Sequence, residues 1–170
     1  MHIHDGYQIF IDKNPVKDVE HAFELQKKYP GKNFAIDSIK ILLDGVLESK
    51  TAYLCEPYSD KNDNYRGMLR FDMETLVATI KKANELGITV HIHTIGDGAV
   101  KFVLDAFEKA NSGKKFRNAI THMQVIKPAD FDRMAKLGIV TVANTFWFIK
   151  DPDYHEKLSI PFLGDDKCGV

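Results

Sequence analysis

The sequence predicts an α/β fold built on a parallel sheet. Three observations carry that expectation. Short apolar, β-rich runs recur along the chain, the segments between them repeat apolar residues at helical spacing, and turn or stop residues separate the two kinds of segment. The intervening helices run to ten residues or more, long enough to cross a sheet and return the next strand parallel to the last.

In chain order, residues 7–11 read as a strand. Pro15–Lys28 reads as a helix with Val16, Val19, Ala22, Phe23 and Leu25 on one side. The apolar run 39–43 ends at Asp44 and Gly45, a turn signal, and 62–67 is a polar loop. Asp72 is placed to cap a helix carrying Leu76, Val77, Ile80, Ala83 and Leu86, and Gly87 ends it. There follow a strand over 88–93, a helix over 99–110, a strand over 119–122, a helix over 128–137 closed by Gly138, and a β-rich run over 140–143. No linker, internal repeat or low-complexity stretch interrupts the alternation.

A chain of 170 residues suits one domain, and 44% hydrophobic with 28% charged residues is an ordinary globular composition. The net charge of −1, with both signs interspersed, argues against a nucleic-acid or membrane-surface partner and leaves a small molecule as the expected one. No apolar run approaches the ~20 residues of a membrane span. The opening MHIHDGYQIF has no basic region followed by an apolar stretch, so no signal peptide is expected. Cys55 and Cys168 form no disulfide framework, which fits a reducing, cytoplasmic compartment.

Chemistry concentrates in three stretches. In TVHIHTIGD, residues 89–97, alternation along a strand puts Thr89, His91 and His93 on one face. His93 stands at the C-terminal end of its strand, where parallel folds gather function. AITH, residues 119–122, places His122 at the corresponding end of the next strand. Two imidazoles from successive strand ends can form a pair of metal ligands; each could equally be a satisfied core histidine. The third stretch is SIKILLDG, residues 38–45, where Lys40 is flanked by Ile39, Ile41, Leu42 and Leu43. Burial lowers an amine's pKa, and the neutral amine can take up carbon dioxide to form a bidentate carbamate. The ordinary alternative is a lysine whose stem snorkels to solvent.

These stretches together resemble the amidohydrolase superfamily, and most closely its YtcJ-like branch, amidohydrolase family 3. The matching segments are IKILLDGVLESKTAYLCEPY, VHIHTIGDGAVKFVLDAFE, and ITHMQ followed by a helix ending KLGIV, covering most of the chain from about Lys40 onward. The resemblance implies a (β/α)₈ barrel with a mononuclear or binuclear site, most often for zinc. It carries Lys40 over as the strand-4 ligand, carboxylated in the binuclear form, with His93 from strand 5 and His122 from strand 6. It also implies hydrolysis of amide or related C–N bonds at a metal-activated water, with a strand-8 carboxylate as proton shuttle.

A complete barrel needs about 250 residues. At 170 residues the expectation is a partial barrel of about five βα units, from strand 3 to strand 7, forming a single incomplete domain. His2 and His4 are not read as the HxH of strand 1. Two further βα units of roughly 30 residues each should separate strand 1 from the lysine strand, and only one helix fits before Lys40. The tail FLGDDKCGV reads as the approach to the last strand, so the strand-8 Asp is expected outside the chain. No catalytic acid or base is therefore assigned, and little hydrolysis is expected from this chain alone.

Asp97 opens a helix and is expected to cap it, with support of the metal site as the sharper alternative. Gly96 and Gly98 hint at a phosphate loop, but Lys101 stands where a dinucleotide fingerprint needs its third glycine. Glu48, Ser49 and Thr51 are either pocket-lining or simply solvated. Two rival readings stand beside the hydrolase: a non-catalytic α/β module for a small ligand, and a flavodoxin-like nucleotide-binding domain. Unpaired sheet edges at both ends are expected to drive self-association into homo-oligomers.

Overall fold

The computed structural model describes residues 3–9, 14–60, 63–150, 152–153 and 155–163. Five strands form one parallel sheet in the order in which they occur along the chain, β1 to β5. They are β1 (Ile3–Ile9), β2 (Phe34–Leu42), β3 (Thr89–Thr94), β4 (Ala119–His122) and β5 (Val140–Ala143). Between them run α1 (Pro15–Lys28), α2 (Met73–Glu85), α3 (Asp97–Lys109) and α4 (Pro128–Leu137), with a short α5 (Ile160–Leu163) near the end. The chain thus builds part of a (β/α)₈ barrel. A doubly wound sheet reverses strand order at a switch point; the described strands never do, which removes the flavodoxin-like alternative.

Local signals account for the helix limits. Asn14 Oδ1 accepts the Lys17 N–H at 3.2 Å ahead of Pro15, and Asp72 Oδ1 accepts the Thr75 N–H at 2.7 Å. Gly87 and Gly138 end α2 and α4 with φ of 73° and 66°. β2 starts five residues before the apolar run that announced it, because its first half pairs with β1 while carrying the polar Asp37 and Ser38. β1 covers Ile3–Ile9 where the sequence suggested 7–11; Ile11 lies outside the described residues.

Ile39, Ile41, Val90, Ile92 and Ile120 are fully buried beneath the helices, with Leu76, Ile80, Val103, Leu104 and Phe107 packed from the helix side. A buried polar knot closes the N-terminal ends of the strands. Asn118 Oδ1 accepts the Val90 N–H at 2.8 Å, and Ser112 donates to Asn84 Oδ1 at 2.6 Å. At the opposite, C-terminal end the long connection between β2 and α2 folds over the sheet. Its Leu47, Ala52, Leu54 and Tyr58 bury with Ile95 and Leu163 as a second apolar cluster. A long connection with its own core at strand ends is typical of functional loops. Among the described residues no helix is long and apolar enough to cross a membrane.

Candidate metal centre

Register fixes which side chains share the sheet face turned away from the helices. Lys40 stands opposite His91, and His91 opposite Ala119; one layer nearer the rim, Leu42 faces His93 and His93 faces Thr121. Cross-strand partners point the same way, so Lys40, His91 and His93 occupy one face and Ile39, Ile41, Val90 and Ile92 the other. Lys40 lies two residues below the rim layer, about 6.6 Å along the strand. Its amine nevertheless lowers the proton affinity of His91, His93 and His122 alike.

His122 reaches that face against the alternation. Its strand partner is Thr94, which alternates with His93, so an ordinary backbone would send the His122 ring toward the helices. Instead φ is 83° at His122 and 47° at Met123. These left-handed conformations are costly for a side chain with a Cβ, and they turn the strand end so that the ring swings inward. The His93 and His122 ring centroids lie 4.8 Å apart at an interplanar angle of 69°.

Each imidazole has one nitrogen committed. His93 Nε2 is 3.0 Å from the Gly45 carbonyl, which can only accept, so Nε2 carries the proton and Nδ1 a lone pair. His122 Nδ1 donates to Asn144 Oδ1 at 2.6 Å, leaving the lone pair on Nε2. Burial holds the His93 pKa down to about 4, with His122, Lys40 and Arg70 adding to it against the Gly45 hydrogen bond. Burial also lowers His122, and Lys40 reinforces that. Burial lowers Lys40 itself. Near neutral pH the site therefore offers two neutral imidazoles, the form in which histidine binds metals.

Asp44 underlies this arrangement. It is 2% exposed, its Oδ1 accepts the Ile95 N–H and its Oδ2 the N–H groups of Tyr53 and Gly96, each at 3.0 Å. Oδ1 is also 3.6 Å from His93 Nε2. Burial pushes its carboxyl up to about 6, opposed by those three backbone donors. The turn expected from Asp44 and Gly45 is thus a buried junction.

Asp97 is not the cap of α3. Gly96 holds that position, with φ −84° and ψ 151°, because the Tyr53 carbonyl crosses where a side chain would begin; a Cβ on Gly96 would meet it at 2.1 Å. Asp97, one residue into the helix, accepts the N–H groups of Cys55 and Gly98 at 2.9 Å and so ties down the overlying connection. Gly96, Gly98 and Ala99 donate to Asp44, Asp97 and Tyr53, so these three N–H groups of the helix start are already engaged and not free for a phosphate. Ser49 and Thr51 hydrogen-bond each other at 2.8 Å and Thr51 accepts the Val46 N–H, so both hold the loop rather than line an opening; Glu48 is exposed. His4 belongs to β1 opposite Ala35, and His2 and Cys168 lie outside the described residues.

Three contributors escaped the sequence reading. Asp44, before Gly45, carries only a turn signal in the sequence. Asn144 directly follows β5, and the strand-end rule that singled out His93 and His122 would have found it. Trp147, in the turn Thr145–Phe148, lays its ring 5.1 Å from that of His122, which periodicity could not foresee. Among the described residues no three His, Cys, Asp or Glu side chains gather closely enough to hold a metal ion by themselves.

The fold and rim define a partial barrel of the kind found in metal-dependent hydrolases. The chain is similar to an uncharacterised metal-dependent hydrolase from Pyrococcus furiosus, with a TM-score of 0.77 at 27% identity over 98% of this chain and 32% of that one. A second, from Pyrococcus horikoshii, gives 0.72 at 27% identity over 88% and 30%. More particularly, the chain belongs to the Amidohydrolase family, whose model matches residues 1–162. It is 36% identical over 117 residues to the putative amidohydrolase YtcJ of Bacillus subtilis and 33% identical over 121 residues to the protein LONG AFTER FAR-RED 3 of Arabidopsis thaliana. It spans 22% and 21% of the lengths of these two relatives.

Proposed function

We propose that this chain is the segment from about strand 3 to strand 7 of a metal-dependent amidohydrolase barrel, forming one incomplete domain. Lys40, His93 and His122 form one side of its cation site. The observation that carries this reading is the approach of the two imidazoles at 4.8 Å, each with its second nitrogen already engaged. A backbone strained at His122 to achieve that approach supports it, since strain of this kind persists where function requires it.

The donors suit the group. Two neutral imidazoles and a lysine whose ammonium form is disfavoured match zinc, which takes nitrogen and carboxylate-type oxygen ligands. His93 Nδ1 and His122 Nε2 would hold the ion, and Lys40 would join as its carbamate. Gly45 and Asn144 orient the two rings. When bound, a divalent cation supplies a Lewis acid that polarises a carbonyl and lowers the pKa of water. The parent enzyme would hydrolyse an amide or other C–N bond of a small molecule. The proton-shuttle acid is assigned to a strand outside this segment, and the segment alone would be inactive. A cytoplasmic setting belongs to the same reading, with Cys55 as a free thiol.

Zinc titration of the metal-free chain tests the site. Binding should weaken at least tenfold in His93→Ala and in His122→Ala, and bicarbonate should tighten it in the wild type but not in Lys40→Met. A longer chain spanning the whole barrel that binds no metal would refute the proposal in favour of a non-catalytic ligand-binding module.

A further inference from the structure

The buried junction at Asp44 does more than end a strand. We propose that Asp44 is the positioning residue of this site: its carboxylate locks the exit of β2 to the exit of β3 and, together with the Gly45 carbonyl, fixes which nitrogen of His93 carries the proton. The consequence for metal binding rests on the function proposed above; the positioning role itself does not.

The geometry leaves little freedom. Oδ2 joins Tyr53, from the connection that overlies the rim, to Gly96, at the start of α3. Oδ1 holds Ile95, two residues past His93, and stands 3.6 Å from the same His93 nitrogen that bonds the carbonyl of Gly45, the next residue in the chain. One buried carboxylate therefore ties the backbone just after His93 to the overlying connection and supplies an acceptor-only surface beside Nε2. Against that surface and the Gly45 carbonyl, only the form protonated on Nε2 avoids a lone-pair clash. Nδ1 is then the nitrogen left bare.

Asp44→Asn separates this role from mere packing, because it is nearly isosteric. The asparagine oxygen should keep the Oδ2 place, where it satisfies two donors, Tyr53 and Gly96. Its NH₂ then takes the Oδ1 place and confronts the Ile95 and His93 N–H groups donor to donor. The Gly45 carbonyl remains as an acceptor beside Nε2, so the expected result is a partial redistribution of the His93 proton toward Nδ1, the nitrogen a metal would need.

Long-range proton–nitrogen NMR spectra of the metal-free 170-residue chain read the tautomer directly. In the wild type His93 should show a protonated Nε2 and a bare Nδ1. In Asp44→Asn, with helical circular dichroism unchanged, the Nδ1-protonated form should appear while the His122 resonances stay in place. Zinc affinity should fall about 10- to 100-fold, as it does when such supporting partners of metal-binding histidines are lost. A wild-type His93 protonated on Nδ1 overturns the proposal without any variant. So does an Asp44→Asn chain with the wild-type tautomer and zinc affinity within twofold. A wild type that shows the tautomer locked, and unlocked by Asp44→Asn, supports the positioning role even where a whole-barrel chain binds no zinc, a result that refutes the metal reading alone.

Discussion

The left-handed backbone at His122 makes a quantitative prediction that needs no metal. His122→Ala and His122→Gly both delete the imidazole, its bond to Asn144 and its contacts with His93 and Trp147, so those losses cancel between the two variants. What differs is the cost of φ 83°. A residue with a Cβ bears about 1–2 kcal/mol in this region, whereas glycine bears almost none. Glycine also gains about 0.4–1 kcal/mol of freedom in the unfolded chain, which works against it. The balance favours His122→Gly by about 1 kcal/mol, or roughly 2–4 °C in midpoint for a domain of this size. Urea and thermal unfolding followed by circular dichroism measure it. Thr121, whose φ is not positive, supplies the control: there the alanine variant should be the more stable by about 0.5–1 kcal/mol. If His122→Ala equals or exceeds His122→Gly, the re-aimed strand end is wrong, and with it the meeting of the two rings.

Thr94 Oγ1 is the buried side-chain polar atom without a hydrogen-bond partner among the described residues. Thr94→Val should therefore raise stability by about 1 kcal/mol in urea unfolding, and a loss of that size would mean the hydroxyl has a partner. His93, held down to about 4 against an ordinary 6.5, stabilises the fold fully above pH 6.5 and loses that contribution as pH falls toward 4. The loss amounts to at most about 3 kcal/mol. Asp44, raised from 3.8 to about 6, has the opposite sign, its contribution being full below 3.8 and lost as pH rises through 6. In metal-free protein His93→Gln should thus become less stable as pH rises between 4 and 6, and Asp44→Asn less stable as it falls from 6.5 to 4; slopes of the same sign in both would refute this. Finally, β5 is the last strand of the sheet order, and Val140 and Val142 are 38% and 44% exposed. Sedimentation should show concentration-dependent self-association, weakened by Val142→Lys at the sheet edge; a monomer at high concentration would count against it.

How much of this was legible in the sequence follows the physics of each signal. α1, α4, β4 and β5 lie where periodicity and punctuation put them, because Pro15, Pro128 and Gly138 act through local backbone geometry alone. The first half of β2 was not legible. Asp37 and Ser38 break the apolar run, and only pairing with β1 makes that segment a strand. His93 and His122 were found by their place at strand ends. Their pairing is an expectation of the same rule, but the torsion at His122 that brings the rings together is one no residue pattern encodes. Asp44 was hidden for a related reason. An Asp-Gly pair signals a turn, and whether the carboxylate faces solvent or three backbone donors depends on segments 9 and 51–52 positions away.

A left-handed histidine and a buried carboxylate with a raised pKa both break local rules, and both touch the same imidazole pair. Here one defect turns the His122 ring toward His93 and the other holds His93 to receive it, so the two costs have a common product. Lys40 sharpens the point. It disfavours protonation of both rings and is itself disfavoured as an ammonium, so the cluster rejects protons. A core that merely tolerated its histidines would satisfy both nitrogens of each. Among the described residues each ring has one nitrogen committed to a named partner, and under the proposed function the other is the one left for the cation.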